Sequence, residues 1–142
     1  MKRYIMERQI NLEKSYLELI KFLLMSKQSL AEIGDKFKLT PIQTTTLMLL
    51  DKPKTMQSFT CIFHCDASNT TGIIDGLVKK GLVKRYESPT DRRVKYVEAN
   101  TKGIKIRQTI SSELTSNESF LLKKLNNEDL VSFIALINKI TN

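Results

Sequence analysis

A chain of 142 residues, 41% hydrophobic and 27% charged, with five glycines and three prolines, is long enough to bury a core and too apolar to be disordered. Its 23 basic and 15 acidic residues leave a net charge of +8, which favours a polyanionic partner, either nucleic acid or an anionic membrane surface. There is no apolar run of membrane-spanning length, the start MKRYIMERQINLEK lacks the apolar core and cleavage site of a signal peptide, and two cysteines four residues apart make no secreted disulfide framework; the expectation is a soluble cytoplasmic protein.

The first predicted element is an amphipathic helix over 5–28, where Ile5, Leu12, Tyr16, Leu19, Ile20, Leu23 and Leu24 recur at spacings of three and four between Glu7, Glu13, Lys14 and Lys21. Thr40 followed by Pro41 reads as an N-cap with proline at the first helical position, opening a second helix through IQTTTLMLLD that Pro53 ends. Thr55 caps a third, short helix, MQSFTCIFH, with Met56, Phe59 and Phe63 on one side. Asp66 caps a fourth, ASNTTGIIDGLVKK, closed by Gly81 as a left-handed C-cap. LVKRYE and VKYVEA, rich in Val and Tyr, then predict a β-hairpin around the loop SPTDRR. Residues 101–124 read as helix again, with Ile104, Ile106, Ile110 and Leu114 on the apolar side, and Asn126 with Asp129 resembles a capping box opening a last helix through Ile140.

The fold class is therefore mainly α with a small β-hairpin, and no internal repeat or linker divides it. The terminal helical segments, 5–28 and 104–140, carry more apolar surface than a small central unit can cover. Packing on a second copy is the simplest solution, since homodimers are the commonest oligomers; folding back on the same chain is the alternative.

The fourth helix has an unusual open face. At about 100° per residue, Ala67, Thr70, Ile73, Ile74, Leu77 and Val78 share one side. Ser68, Asn69, Gly72, Asp75, Gly76 and Lys79 share the other, with Thr71 at the boundary. Glycine costs about 1 kcal/mol relative to alanine inside a helix, so two on an exposed face suggest close approach to a large partner. Short polar side chains near a helix N-terminus suit a major groove, where Asn pairs with adenine and Ser or Thr serves as donor or acceptor.

The stretch DASNTTGIIDGLVKKGLVKRYESPTDRRVKYVEANTKG resembles the core of the MarR family of transcription regulators. Asp66 falls at the capping position before a Ser/Thr-rich helix; Leu77, Lys79 to Val83 and Arg85 fit the exit into the first wing strand. Asp91 and Arg93 fit the wing tip, and Thr101, Lys102 and Gly103 the opening of the next helix. LTPIQTTTLMLL, Leu39 to Leu50, is similar to the family's second helix. The resemblance implies one MarR-like domain over 1–142, with helical dimerisation segments at about 1–36 and 104–142 and a winged helix–turn–helix at about 40–103. It implies an obligate homodimer that binds a near-palindromic double-stranded operator, as a repressor, with a small phenolic or other effector weakening binding. The chain departs from the family at Gly72, where Arg is common, at Thr70 in place of Val, which leaves a hydroxyl near the core in need of a partner, and at Asn100 in place of Leu, which predicts a looser hairpin end.

On this reading the recognition helix, 67–80, enters the major groove and the wing, 82–99, the minor groove. The expected DNA-binding residues are Thr55, Gln57, Ser68, Asn69, Thr71, Gly72 and Lys79, with Asp91, Arg92, Arg93 and Lys95 on the wing. Arg93 is the residue expected to enter the minor groove, where narrow A·T segments concentrate negative potential. Asp91 would hold its guanidinium by a charge-assisted bond, and Arg92 would meet a phosphate with Lys95 nearby.

CIFHC puts Cys61, His64 and Cys65 at metal-ligand spacing, but zinc needs a fourth ligand and Asp66 is taken by capping. Register with the family places Cys65 at a core Leu position, as a small buried hydrophobe, and Cys61 and His64 at surface or turn. No cofactor is expected, and one histidine with no Gly-rich phosphate loop or paired-carboxylate motif predicts no enzyme. The alternatives are a winged-helix protein-interaction module with reduced DNA reading, motivated by Gly72, and a metal- or redox-responsive repressor through Cys61, His64 and Cys65.

Overall fold

The computed structural model describes residues 1–116 and 121–141, the side chains of 2–5 and 121 apart, so Ile5 of the predicted apolar stripe lies outside what is described. Its helices after the first start by one local device. A side-chain oxygen at the N-cap accepts from the backbone N–H three residues on, which satisfies one of the amides that a helix start leaves without a carbonyl. Thr40 does this for α2 (Pro41–Leu49), Thr55 for α3 (Met56–Phe63) and Asp66 for α4 (Ala67–Lys79). Asn100 does it for α5 (Thr101–Ser116) and Asn126 for α6 (Asn127–Thr141). At α2 the device is reciprocal, because Gln43 Oε1 also accepts from Thr40 N at 3.3 Å.

Differences from the predicted elements have local causes. The first helix, α1 (Lys2–Asp35), runs past residue 28, since Leu30 and Ile33 continue the three-residue apolar spacing and Ile33 is buried. α2 closes at Leu49 rather than Asp51. The predicted helix over 101–124 crosses 117–120, which lie outside the described residues; α5 is described to Ser116, and 121–124 form a short 3-10 turn. Residues Lys54–Thr55 form a strand, β1, so the predicted hairpin of β2 (Val83–Glu87) and β3 (Lys95–Ala99) is the larger part of a three-stranded antiparallel sheet in the order β1-β3-β2. Register is set by Arg85 opposite Val97 and Tyr86 opposite Tyr96, with Lys54 opposite Val97 on the other edge.

The chain divides into two compact units. The larger, residues 30–116, holds the core: Leu39, Leu47, Phe59, Ile74, Leu77, Leu82, Val97 and Ile110 are essentially inaccessible to solvent. Helices α2, α3 and α4 followed by the β2–β3 hairpin make it a winged helix–turn–helix, and truncating Phe59 at its centre would cost about 3–5 kcal/mol.

The smaller unit comprises residues 1–29 and the described part of 117–142. Phe22 and Phe133 meet edge-to-face there at 5.9 Å, yet none of its described side chains is buried. Leu12, Tyr16, Ile20, Leu23 and Leu24 of α1, and Val131, Ile134 and Ile140 of α6, are each more than half exposed.

Where α4, β2 and α5 meet, the chain closes around Leu82. Gly81 takes φ +67°, the left-handed turn that ends α4 at low steric cost only for glycine. A Cβ on Gly103 would lie 2.0 Å from the Leu82 carbonyl oxygen, so only glycine fits at the start of α5. Asn100 tightens this junction rather than loosening it. Its Nδ2 donates to the Gly81 carbonyl at 2.9 Å and its Oδ1 accepts from Gly103 N at 3.0 Å, which leucine could not do. Asn100→Leu is therefore expected to lower unfolding free energy by about 1–3 kcal/mol, read by urea denaturation.

Candidate nucleic-acid interface

The wing loop is ordered from its base. Ser88, 7% exposed, accepts from the amides of Thr90 and Asp91 at 3.3 and 3.4 Å, and its own amide donates to the Val94 carbonyl at 2.9 Å. At the tip, Asp91 Oδ1 accepts from Arg93 N at 3.0 Å and from Arg93 Nε at 3.4 Å. The Arg93 side chain is still 93% exposed, so the carboxylate directs the guanidinium without covering it. Arg92 is exposed beside it.

Between the wing and the first turns of α3 and α4 lies an open cleft of about 630 Å³. It is lined by Thr55, Met56, Gln57 and Thr60 of the α3 region, Ala67 and Thr71 of α4, and Arg85, Arg93, Val94 and Lys95 of the wing. Three of these ten are cationic and none is acidic, while the amide ends of two helices open onto the same space. Such a surface attracts polyanions.

The cleft thus gathers Thr55, Gln57, Thr71, Arg93 and Lys95 of the expected set. Ser68, Asn69 and Gly72 are exposed on α4 outside its lining, and Asp91 and Arg92 stand at the wing tip. Lys79 is in the last turn of α4, about 16 Å along the helix from Ser68 at 1.5 Å per residue. Arg85 was not among the expected contacts. It lines the cleft and pairs with Asp75 of α4 at 2.6 Å; the signal was its place in the motif leading into the first wing strand.

Residues 39–95 match the model of the MarR family. The matched segment runs from the start of α2 to the start of β3, the winged helix–turn–helix of the larger unit. Curated proteins give no match by sequence. Among solved structures, a cysteine mutant of E. coli MarR in complex with operator DNA is similar at TM-score 0.68 and 22% identity, over 87% of this chain and 91% of that one. The S. aureus MepR–DNA complex gives 0.68 and 24%, over 89% and 94%. The transcriptional repressor CouR, bound to a 23-mer DNA duplex, gives 0.72 and 22%, over 88% and 90%.

Within this matched segment α4 does not divide into the two faces expected of it. Thr70, Ile74 and Leu77 are buried and Ile73 is half-buried, but Ala67 and Val78, at the two ends of the helix, are exposed. Gly76 is no open position, since a Cβ there would come within 2.3 Å of Gln43 Nε2 on α2. Of the two glycines within α4, Gly72 is the bare one, with nothing within 4 Å of where its Cβ would be. The Thr70 hydroxyl finds the partners it needs: it donates to the Asp66 carbonyl at 3.2 Å and lies 3.1 Å from Thr60 Oγ1 and 3.3 Å from Cys65 Sγ. Cys65 is half-buried rather than a core residue, Cys61 is exposed, and His64 ends α3 in the left-handed conformation at φ 48°. Among the described residues, no three His, Cys, Asp or Glu side chains are placed to hold a metal ion.

The two helical glycines should answer alanine differently. Gly72→Ala is expected to raise stability by about 1 kcal/mol through helix propensity. Gly76→Ala should gain less or lose, because Gln43 must leave the Thr40 cap; thermal melts of both variants check this.

Proposed function

We propose that this protein is a homodimeric transcriptional repressor of the cytoplasm that binds a near-palindromic double-stranded operator. The observation that carries the reading is the cleft in which three cationic side chains and two helix N-terminal turns face one space with no acidic group lining it. Phosphates would supply most of the affinity there, and base edges and groove shape the selectivity. That proteins of similar fold, MarR, MepR and CouR, are solved in complex with DNA supports a duplex as the partner.

In this reading Ser68, Asn69, Thr71 and Gly72 face the major groove, with Thr55, Gln57 and Lys79 at its edges. Arg93 enters the minor groove, ordered by Asp91, while Arg92 and Lys95 meet phosphates. Segments 1–36 and 104–142 form the dimerisation part of one domain and 40–103 its DNA-binding part. The bare apolar faces of α1 and α6 favour pairing with a second copy, because water-exposed patches of this extent seldom persist on monomers. A small-molecule effector is expected to weaken DNA binding.

Selection from genomic fragments with purified protein tests the binding and returns the site. Arg93→Ala is expected to weaken operator affinity by more than about tenfold, in line with loss of a charge-assisted groove contact, with an unchanged melting temperature. Unchanged affinity would reduce the wing tip to solvated charge. Light scattering is expected to give twice the chain mass of 16.3 kDa; a monomer would remove the two-half-site arrangement.

A further inference from the structure

Two arginines line the cleft, and each is held by an aspartate that does not line it. Arg93 is held by Asp91 from within the wing loop, and Arg85 by Asp75 from α4 at 2.6 Å. Strand alternation explains why Arg85 is available. In β2 it shares a face with buried Val83 and stands opposite buried Val97, on the side of the sheet that meets α4. Lys84 and Tyr86 take the other face, where Lys84 pairs with Glu98 at 3.1 Å and Tyr86 stacks on Tyr96 at 5.7 Å. Arg85 is therefore the cation of this strand directed at the cleft, and it is a third exposed. A guanidinium carries five N–H donors, and among the described residues Asp75 is its one recorded partner.

We propose that Arg85 is a phosphate-binding residue of the cleft and that Asp75 is its positioning residue. The proposal rests on the DNA-binding reading above and adds a contact to it. Gly72 puts no side chain on the recognition helix where an arginine would reach backbone or base. Arg85 brings a cation to the same helix from the neighbouring strand. Asp75 fixes that long side chain before the duplex arrives, and the remaining donors are left for phosphate oxygens. The carboxylate reaches Arg85 from outside the lining, so the wall presented to a polyanion stays cationic.

The test is operator affinity measured across a salt series for wild type, Arg85→Gln, Arg85→Lys, Asp75→Asn and Arg93→Ala, with a melting temperature for each. Removing one phosphate contact per protomer lowers the steepness of log K against log salt by about 0.9 per protomer. Arg85→Gln is expected to show that loss with at least about tenfold weaker binding in low salt, and Arg85→Lys to keep the wild-type slope. Asp75→Asn removes a negative charge, which would tighten binding if net charge alone mattered. The expected result is instead several-fold weaker binding with the slope retained. Arg85→Gln with wild-type slope would make the pair a strut between strand and helix, and overturn the contact. Asp75→Asn binding as tightly as wild type would overturn the positioning role. If Arg85→Gln fails to fold, Asp75→Asn and Arg85→Lys, which keep every cleft charge, still decide the matter between them. Wild type that binds no duplex in low salt would defeat the DNA reading itself; wild type that binds, weakened by Arg93→Ala but not by Arg85→Gln, would defeat this inference alone.

Discussion

The winged unit depends on the backbone of a single residue, Leu82. Its amide donates back to the Leu77 carbonyl at 3.1 Å, and its carbonyl accepts from Asn100 at 3.0 Å. The same carbonyl leaves no room for a side chain on Gly103. One residue thus ends α4, starts the first wing strand, and fixes where α5 can begin. With the Leu82 side chain buried as well, moving this residue would shift three elements together. Arg85 lies three residues further along the strand, so its alternation onto the cleft side is inherited from this anchor.

The cleft is built by separating charges rather than by accumulating one sign. Acidic groups close to its arginines, Asp75 and Asp91, are kept off the lining and used to orient cations. Exposed ion pairs of this kind contribute little to stability, typically below about 1 kcal/mol. Their value here is geometric. The net charge of +8 reports that a polyanion is favoured, but only the fold shows which cations share one space.

What could be read in the sequence was local. Thr40, Thr55, Asp66 and Asn126 each announce a helix start because capping involves residues only three apart. The hairpin was legible from its Val and Tyr runs, and the pairing of Arg93 with Asp91 from their spacing of two. What is not legible there depends on distant partners. A two-residue strand such as β1 has no alternation to detect and exists because the edge of β3 is free to receive it. Gly76 looked like an open position because Gln43, more than thirty residues earlier, cannot be seen to approach it. Asn100 reads as a loss when set against leucine, although an asparagine three residues before a helical amide is itself a capping signal. Arg85 sat inside the recognised motif, yet its role follows from a strand facing a helix.

The hydrogen bonds at Ser88 bear on how the wing meets any partner. A seven-residue loop of mostly polar side chains would ordinarily sample many conformations, and ordering it on contact would subtract from the free energy of association. Here Ser88 gathers two loop amides, and Asp91 holds one more and accepts from the guanidinium. The conformational entropy is lost when the chain folds, not when the complex forms. The wing is in that sense a preshaped probe, and its encounters should be governed by the rate of arrival and the fit of the groove rather than by the loop's own search.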